Sequence, residues 1–523
     1  MVVEKIERPR DSPVDPGLHR RQQGGTPLFT YLPWNVPDDR QDRPCIRDNH
    51  HCLTYRETAD RSRAVADLLR EQGVSPGDVV AVMLPNCCEF VVTMFGAWYL
   101  GATVTPINPV FTDSEATRQL EDSGARTVVC ADPARFARQV RTVDVTTVTA
   151  LIEDGNEVAP ETASGADTPY VITGNDTALV VYTSGSTGRP KGAMLGHTQL
   201  DAMSAAMEER MRTDSTDHCI LVLPLFHVNA ILVSILTPLR CGAQVTLVER
   251  FAPRPFLELI EQHRPTYFSS VPTILSRLTD LPPEGRPATD SLQFIICGAA
   301  PASPELLTRV SEQFGATVAE GYGLTEGTCC SACNPVHGKQ KVGTVGPAMP
   351  GQTIRVVDED GDDVPTGTAG EVIVSGPTVM QGYLNLPEAT AGTVVDGWLH
   401  TGDIGHLDED GYLTLIDRVK DMIIRGGENI YPREIEAVLH GADGVLEAAV
   451  VARPHRVLGE EPVAVVSLMQ GSPLTAADLL AHCRTHLTKV KVPVDLQIVA
   501  EIPKNPVGKI DKPTLRAQFL APA

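Results

Sequence analysis

Residues 182–192 read YTSGSTGRPKG. Thr183, Ser184, Ser186 and Thr187 offer hydroxyls there, Gly185 and Gly188 let backbone N–H groups approach a ligand, and Lys191 adds an ammonium. Hydroxyls, amide hydrogens and one cation in that order make an anion cradle suited to a polyphosphate. A Walker loop needs glycine directly before its lysine, and Pro190 stands there, so this is a phosphate loop of another kind. A flexible Ser/Gly linker would not explain this order after the apolar run 178–181 and ahead of a helical pattern from about His197. The expected context is strand, loop, helix.

Four further segments follow: EGYGLTE at 320–326, WLHTGD at 398–403, DRVKDMIIRGGENIYPREIE at 417–436 and PKNPVGKID at 503–511. With the phosphate loop they make an ordered set that resembles the adenylate-forming superfamily of acyl-CoA synthetases, adenylation domains and luciferases, and acyl-CoA synthetases for fatty or aryl acids most of all. The resemblance spans about residues 53–519. It implies ATP-dependent activation of a carboxylic acid to acyl-AMP with release of pyrophosphate, then transfer to the thiol of coenzyme A, with ATP, Mg2+ and coenzyme A as cofactors. The alternative acceptor is a carrier-protein phosphopantetheine, or a separate partner enzyme that takes the acyl-AMP. An acyl-phosphate-forming kinase, recognised by ADP as product, and a nucleotide-binding regulator without catalysis are the rival classes. Retention of Glu326, Asp403, Arg418 and Lys509 together argues against the regulator.

Carboxylate activation brings two anions together, so placed cations matter more than acid–base groups. Glu326 offers hard oxygen to magnesium, with Thr325 beside it to hydrogen-bond phosphate. Within the resemblance, Tyr322 corresponds to the adenine-stacking aromatic of the Glu320–Gly321–Tyr322 segment, and the turn Gly298, Ala299, Ala300 and Pro301 to the opposite wall. Asp403 is expected to accept both ribose hydroxyls and Arg418 to donate to ribose or phosphate. Lys509 is expected to bridge the carboxylate and an α-phosphate oxygen, while Lys504 and Lys512 read as solvated surface charges. Lys420 corresponds to the hinge. About it the small domain would swing until Arg425, Gly426, Gly427 and Glu428 line a pantetheine tunnel, where glycines permit close backbone approach.

Residues 224–228, PLFHV, resemble the acyl-pocket segment in which the histidine, here His227, gates the carboxylate end and later meets Glu428. Amino-acid-activating relatives place an aspartate in this region. Here Val228 and Asn229 follow, so a substrate ammonium would be buried unpaired. Val271, Pro272, Ile274, Ala299, Gly321 and Gly323 stand at lining positions and imply an uncharged acyl or aryl tail. Three departures stand out. Gly196 replaces a usual hydroxyl residue, Pro454-His455 a usual Pro-Asp, and Cys297 the first glycine of the adenine-side turn.

The elements that position these residues read as α/β. Helical spacing over 55–72, a buried-strand run over 78–84 and a helix over 89–100 begin an alternation that recurs to about residue 320. Largely parallel sheets follow. From about Thr353 strand, acidic turn and strand predict an antiparallel or barrel-like subdomain. The division expected is 1–417 for ATP and acyl binding, 418–421 as hinge and 422–523 as a small mobile α+β domain. The chain has 523 residues, too many for one core. Its formal charge is −22, with 34 arginines and ten lysines among 44 basic residues. Such a balance repels nucleic acid. Charges and prolines occupy the start where a signal peptide needs an apolar run, and the apolar stretch 220–239 is broken by Pro224, His227, Asn229 and Pro238. A cytoplasmic enzyme with thiol cysteines is expected, and Cys330 with Cys333 lacks the second pair that a zinc site needs.

Overall fold

The computed structural model describes residues 29–153, 168–183, 190–282, 285–300, 302–418, 421–426, 428–469, 471–504 and 510–520. Ser184 to Gly188 of the phosphate loop, Pro301, Lys420, Gly427 and Lys509 lie outside the described residues.

Two large sheets carry the N-terminal part. The first orders Gly382–Tyr383, Lys191–Gly196, Thr177–Thr183, Thr103–Pro106, Val79–Met83, Thr127–Cys130 and Arg141–Asp144. The second orders Ala332–Cys333, Thr317–Tyr322, Phe294–Cys297, Tyr267–Ser270, His218–Leu221, Gln244–Leu247, Pro44–Arg47 and Cys52–Thr54. In the first, the five strands from Thr177–Thr183 to Arg141–Asp144 run parallel and the other two pair antiparallel; in the second, the inner strands run parallel and antiparallel strands close both edges. The inner strands are short apolar runs such as VVAVM and FIIC, as strands covered on both faces must be.

The helix Tyr55–Glu71 begins at a Thr54–Glu57 capping box and is followed by Gly73 at φ +76°, close to the expected bounds. The next helix, Cys88–Tyr99, is buried along its whole length, because CEFVVTMFGAWY is apolar on nearly every face. It belongs to a core that draws side chains from both sheets, and Trp98 Nε1 donates to Ala178 O at 2.9 Å. Gly96 lets the two helices approach: a Cβ there would stand 2.9 Å from Ser62 O.

Thr353–Val357, Gly370–Ser375, Val394–Val395, Trp398–Leu407 and Leu413–Arg418 form an antiparallel sheet over Ile354, Val372, Val374, Leu399 and Leu413. Beyond it Ile423–Arg425, Glu428–Ile430, Val445–His455, Gly459–Leu468 and Asp495–Val499 make a mixed sheet. The helices Pro432–His440 and Ala476–His486 pack on one face of that sheet, and Lys512–Leu520 contributes Leu515 to a second cluster. The fold is therefore a large layered α/β part with a smaller α+β part, as expected.

The helix expected from about His197 is present as His197–Met211. Between the phosphate loop and that helix stands an element the sequence did not show: Lys191–Gly196 is a strand antiparallel to Thr177–Thr183, with Thr183 opposite Lys191. Its residues KGAMLG alternate too weakly for a period to show. The apolar stretch 220–239 divides into a strand end, a loop and the helical run Val228–Cys241, whose middle, Leu232–Leu236, is a π-turn. Pro238 lies just beyond and has no N–H to continue the ladder. No helix among the described residues is long and apolar enough to cross a membrane.

Candidate active site

Four neighbouring strands of the second sheet point their carboxyl ends to one place. His218–Leu221 leads to His227, Val228 and Asn229; Tyr267–Ser270 leads to Val271, Pro272 and Ile274; Phe294–Cys297 leads to Gly298, Ala299 and Ala300; Thr317–Tyr322 carries Glu320, Gly321 and Tyr322. Segments scattered over a hundred residues converge because a parallel sheet places successive loops on one edge. The acyl and adenine expectations thus meet at one crevice.

The backbone there is tight. Ala299 sits at φ +66°, a conformation that L residues rarely adopt. A Cβ on Gly323 would stand 2.0 Å from Cys329 O, so only glycine fits. Cys297, in place of a glycine, is buried in the core beneath the turn.

On the nucleotide side, Asp403 and Arg418 face each other across Trp398–Leu407 and Leu413–Arg418. Arg418 Nε donates to Asp403 Oδ1 at 2.9 Å and the Tyr322 hydroxyl donates to Oδ2 at 2.5 Å. Burial first, and the Asp403 carboxylate second, push the Tyr322 hydroxyl well above its usual range, so it stays a donor. Burial works to lower the Arg418 guanidinium, but Asp403, Tyr322 and Asp421 together outweigh it and the net shift is upward. Each Asp403 oxygen spends one acceptor site within this triad and keeps another for a hydroxyl. Burial raises the Glu320 carboxyl to about 7, against the Ala302 N–H and the Arg433 guanidinium, which pull it down.

On the phosphate side, Glu326 lies in the short turn Thr325–Gly327. Its Oε1 accepts from the Tyr383 hydroxyl at 2.7 Å and from Thr183 Oγ1 at 3.4 Å. Lys191 Nζ stands 4.8 Å from the centre of the Tyr383 ring. Glu326 therefore joins the second sheet to the hairpin whose turn is the phosphate loop. Tyr383 was missed from sequence; it lies in GYLNLPEAT, where no period or charge distinguishes it.

In the acyl region, His227 precedes the helix Val228–Ile231 with its ring 4.4 Å from that of Phe226. Asn229 Oδ1 accepts from Ser269 Oγ at 2.8 Å. Asn86 is a second residue the sequence did not single out. Its amide donates to Leu223 O at 3.1 Å and Val248 O at 3.0 Å and accepts from Leu225 N at 2.9 Å, which holds the segment leading to His227.

In the small domain Gly426, at φ +61°, turns the chain between Arg425 and Glu428, which pair across the hairpin. Lys504 and Lys512 correct an expectation. They are not free surface charges: Lys504 pairs with Glu447 and Lys512 with Glu436, each at 2.9 Å and largely screened from solvent.

Two of the three departures have local compensation. A Cβ at Gly196 would stand 2.5 Å from Gln381 Nε2, and Gln199 Oε1 accepts the Gly196 N–H at 3.0 Å, so amides occupy the place of a hydroxyl. His455 Nδ1 accepts from Val457 N and Leu458 N at 3.2 and 3.1 Å, the turn-closing task of an aspartate.

The profile of AMP-binding enzymes matches residues 34–384, and that of their C-terminal domain matches 434–509. The chain is 36% identical to a feruloyl-CoA synthase of Amycolatopsis sp over 91% of this chain and 95% of that one. It is 35% identical to an oxalate–CoA ligase of Arabidopsis thaliana over 88% and 91%. ATP-bound MatB of Rhodopseudomonas palustris is 32% identical and superposes with a TM-score of 0.85 over 94% of this chain and 98% of that one.

Proposed function

We propose a division of labour within the site from the premise that the chain belongs to the AMP-binding enzyme family. The enzyme is an AMP-forming carboxylate–CoA ligase: ATP activates a carboxylic acid to acyl-AMP with release of pyrophosphate, and coenzyme A takes the acyl group on its thiol. The observation that supports the assignment of roles is the Tyr322–Asp403–Arg418 triad, with Glu326 held by Tyr383 in the turn that follows Tyr322.

Asp403 takes the ribose hydroxyls on its remaining acceptor sites, and Arg418 holds its carboxylate in place while presenting its other N–H groups to ribose or phosphate. The Glu326 carboxylate, a hard oxygen donor oriented by Tyr383, fits magnesium. The ion, when bound, supplies neutralisation of the pyrophosphate charge. Lys191 and the loop hydroxyls hold the β- and γ-phosphates. Lys509 adds positive charge where the carboxylate meets the α-phosphorus. Lys509→Ala is expected to lower single-turnover acyl-AMP formation by about 10²- to 10³-fold while ATP affinity stays within a few-fold. Unchanged acyl-AMP formation would remove Lys509 from this role.

The substrate is a monocarboxylic acid with an apolar acyl or aryl tail. Val271, Pro272, Ile274, Ala299, Gly321 and Gly323 supply no cation for a second carboxylate and no carboxylate for an ammonium. The relatives are named for acids as unlike as ferulate and oxalate, so lining residues rather than overall identity must select the acid. A carboxylic acid panel in a pyrophosphate-release assay, with and without coenzyme A, tests this. Aryl and aliphatic monoacids are expected to exceed dicarboxylic and amino acids at least tenfold. A dicarboxylic acid at the head of the panel would overturn the pocket assignment. An active acid that gives no CoA thioester would shift the acceptor to a carrier protein or partner enzyme.

A further inference from the structure

Two residues beyond Asn86 the chain reaches a cluster that the ligase chemistry does not use. The segment 48–51 joins the strands Pro44–Arg47 and Cys52–Thr54. Asp48 Oδ1 accepts from His50 N and His51 N at 2.8 and 2.7 Å, and Oδ2 accepts from Cys88 N at 2.8 Å. That last bond ties the loop to the first turn of the helix Cys88–Tyr99. It brings the Asp48 carboxylate, the His51 imidazole and the Cys88 thiol together, with one donor atom of each within 4.8 Å of the others.

His51 is the second observation. Its side chain is only 9% exposed, and neither ring nitrogen has a hydrogen-bond partner among the described residues. The nearest acceptors stand off: Asp48 Oδ1 is 3.5 Å and Glu89 Oε1 3.9 Å from Nδ1, and Glu153 Oε1 is 3.9 Å from Nε2. A buried imidazole with both nitrogens unpaired costs free energy that native structures rarely leave uncompensated. Here it faces carboxylates and a thiol, the surroundings of a cation.

We propose that Asp48, His51 and Cys88 bind one zinc-like divalent cation outside the ligase site. Imidazole nitrogen, thiolate sulfur and carboxylate oxygen are the zinc donor set, and sulfur disfavours magnesium. Tetrahedral zinc with these ligands separates donor atoms by roughly 3.3–3.8 Å, from bonds of about 2.0–2.3 Å, so contraction by about an ångström closes the site. Glu89, already held by the Thr149 hydroxyl at 2.7 Å, is placed to complete the coordination or to orient the imidazole. The cation braces the loop 48–51 against the turn that carries Asn86, and so supports the segment leading to His227.

Titration of metal-free, full-length protein with Co2+ in excess Mg2+ tests this, followed by competition with Zn2+. One equivalent of cobalt per chain is expected, with a thiolate-to-cobalt charge-transfer band that zinc abolishes. Cys88→Ser removes the band, and His51→Ala weakens binding at least tenfold. Cys52→Ser, at an exposed cysteine beside the cluster, leaves both unchanged. Zinc is also expected to raise the Tm of the wild type and not that of His51→Ala. Absence of the band in the wild type overturns the proposal whether or not the variants fold. So does equal affinity of wild type and His51→Ala. A protein that takes up no cobalt and whose Tm zinc does not change would mean that the neighbouring carboxylates alone satisfy His51, and no metal site.

Discussion

At the scale of single residues, Tyr383 serves two charges at once. Its hydroxyl orients Glu326 and its ring face receives Lys191. Tyr383→Phe keeps the ring and loses the hydrogen bond. A bond to a charged group contributes about 1.5–3 kcal/mol, so acyl-AMP formation should fall roughly 10- to 100-fold and need more magnesium, with phosphate-loop affinity for ATP little changed. Unaltered magnesium dependence in rapid-quench assays would refute the coupling. Glu320 allows a second test. Its folded pKa, about 7, stands above the ordinary carboxyl value of 4.5, so the unfolded chain releases its proton first as pH rises. Stability from this group is complete below pH 4.5 and is lost as pH rises toward 7, by roughly 3 kcal/mol at most. Glu320→Gln should therefore raise Tm more at pH 8 than at pH 5. Thermal melts at the two values decide it.

Among elements, the expected phosphate loop and hinge show what a local pattern leaves open. The strands on either side of the loop pair antiparallel, with Thr183 opposite Lys191, where the sequence pattern predicts a direct passage from loop to helix. At the expected hinge, Asp417 accepts from Arg418 N and, through its other oxygen, from Arg433 N of the helix Pro432–His440, both at 2.7 Å. On the other side Asp421 pairs with Arg516 at 2.5 Å. Both carboxylates that flank residues 418–420 are thus anchored. Lys420→Pro fixes φ there. Thioester formation is expected to fall at least ten times more than acyl-AMP formation, measured as separate half-reactions. Equal losses in the two would argue against a swivel.

For the whole molecule, the charge of −22 governs solubility and repulsion of polyanions, while the site's charge is arranged locally. Acid stability is decided by buried histidines. Burial depresses His197 to about 3 and His218 to about 4. His197 Nδ1 shares a hydrogen bond with the Tyr31 hydroxyl at 2.9 Å and His218 Nε2 one with Thr246 Oγ1 at 2.7 Å. Unfolded imidazoles titrate near 6.5, so both groups stabilise the fold above that value and lose the contribution as pH falls through the window below it. Each pH unit costs up to about 1.4 kcal/mol per histidine. Glu320 opposes one of the two over the same range. The net expectation is a falling Tm from pH 6.5 to 5, with a shallower slope in His197→Asn. A flat wild-type profile would contradict it.

The chain's own order of residues determined the chemistry. Hydroxyl, glycine and lysine types, the spacing of the five segments, the apolar strand runs and the capped helix at Tyr55 are local properties, and each is legible within a dozen residues. The layered α/β reading followed from them. Tertiary structure decided which loops share a crevice, because strand order in a sheet is set by packing between distant runs. It paired Tyr383 with Glu326 and Asn86 with Leu225, and it gave Lys504 and Lys512 carboxylate partners more than fifty residues away. It also made Lys191–Gly196 a strand despite a sequence without strand period, since hydrogen bonding to Thr177–Thr183 and Gly382–Tyr383 outweighs a weak local preference.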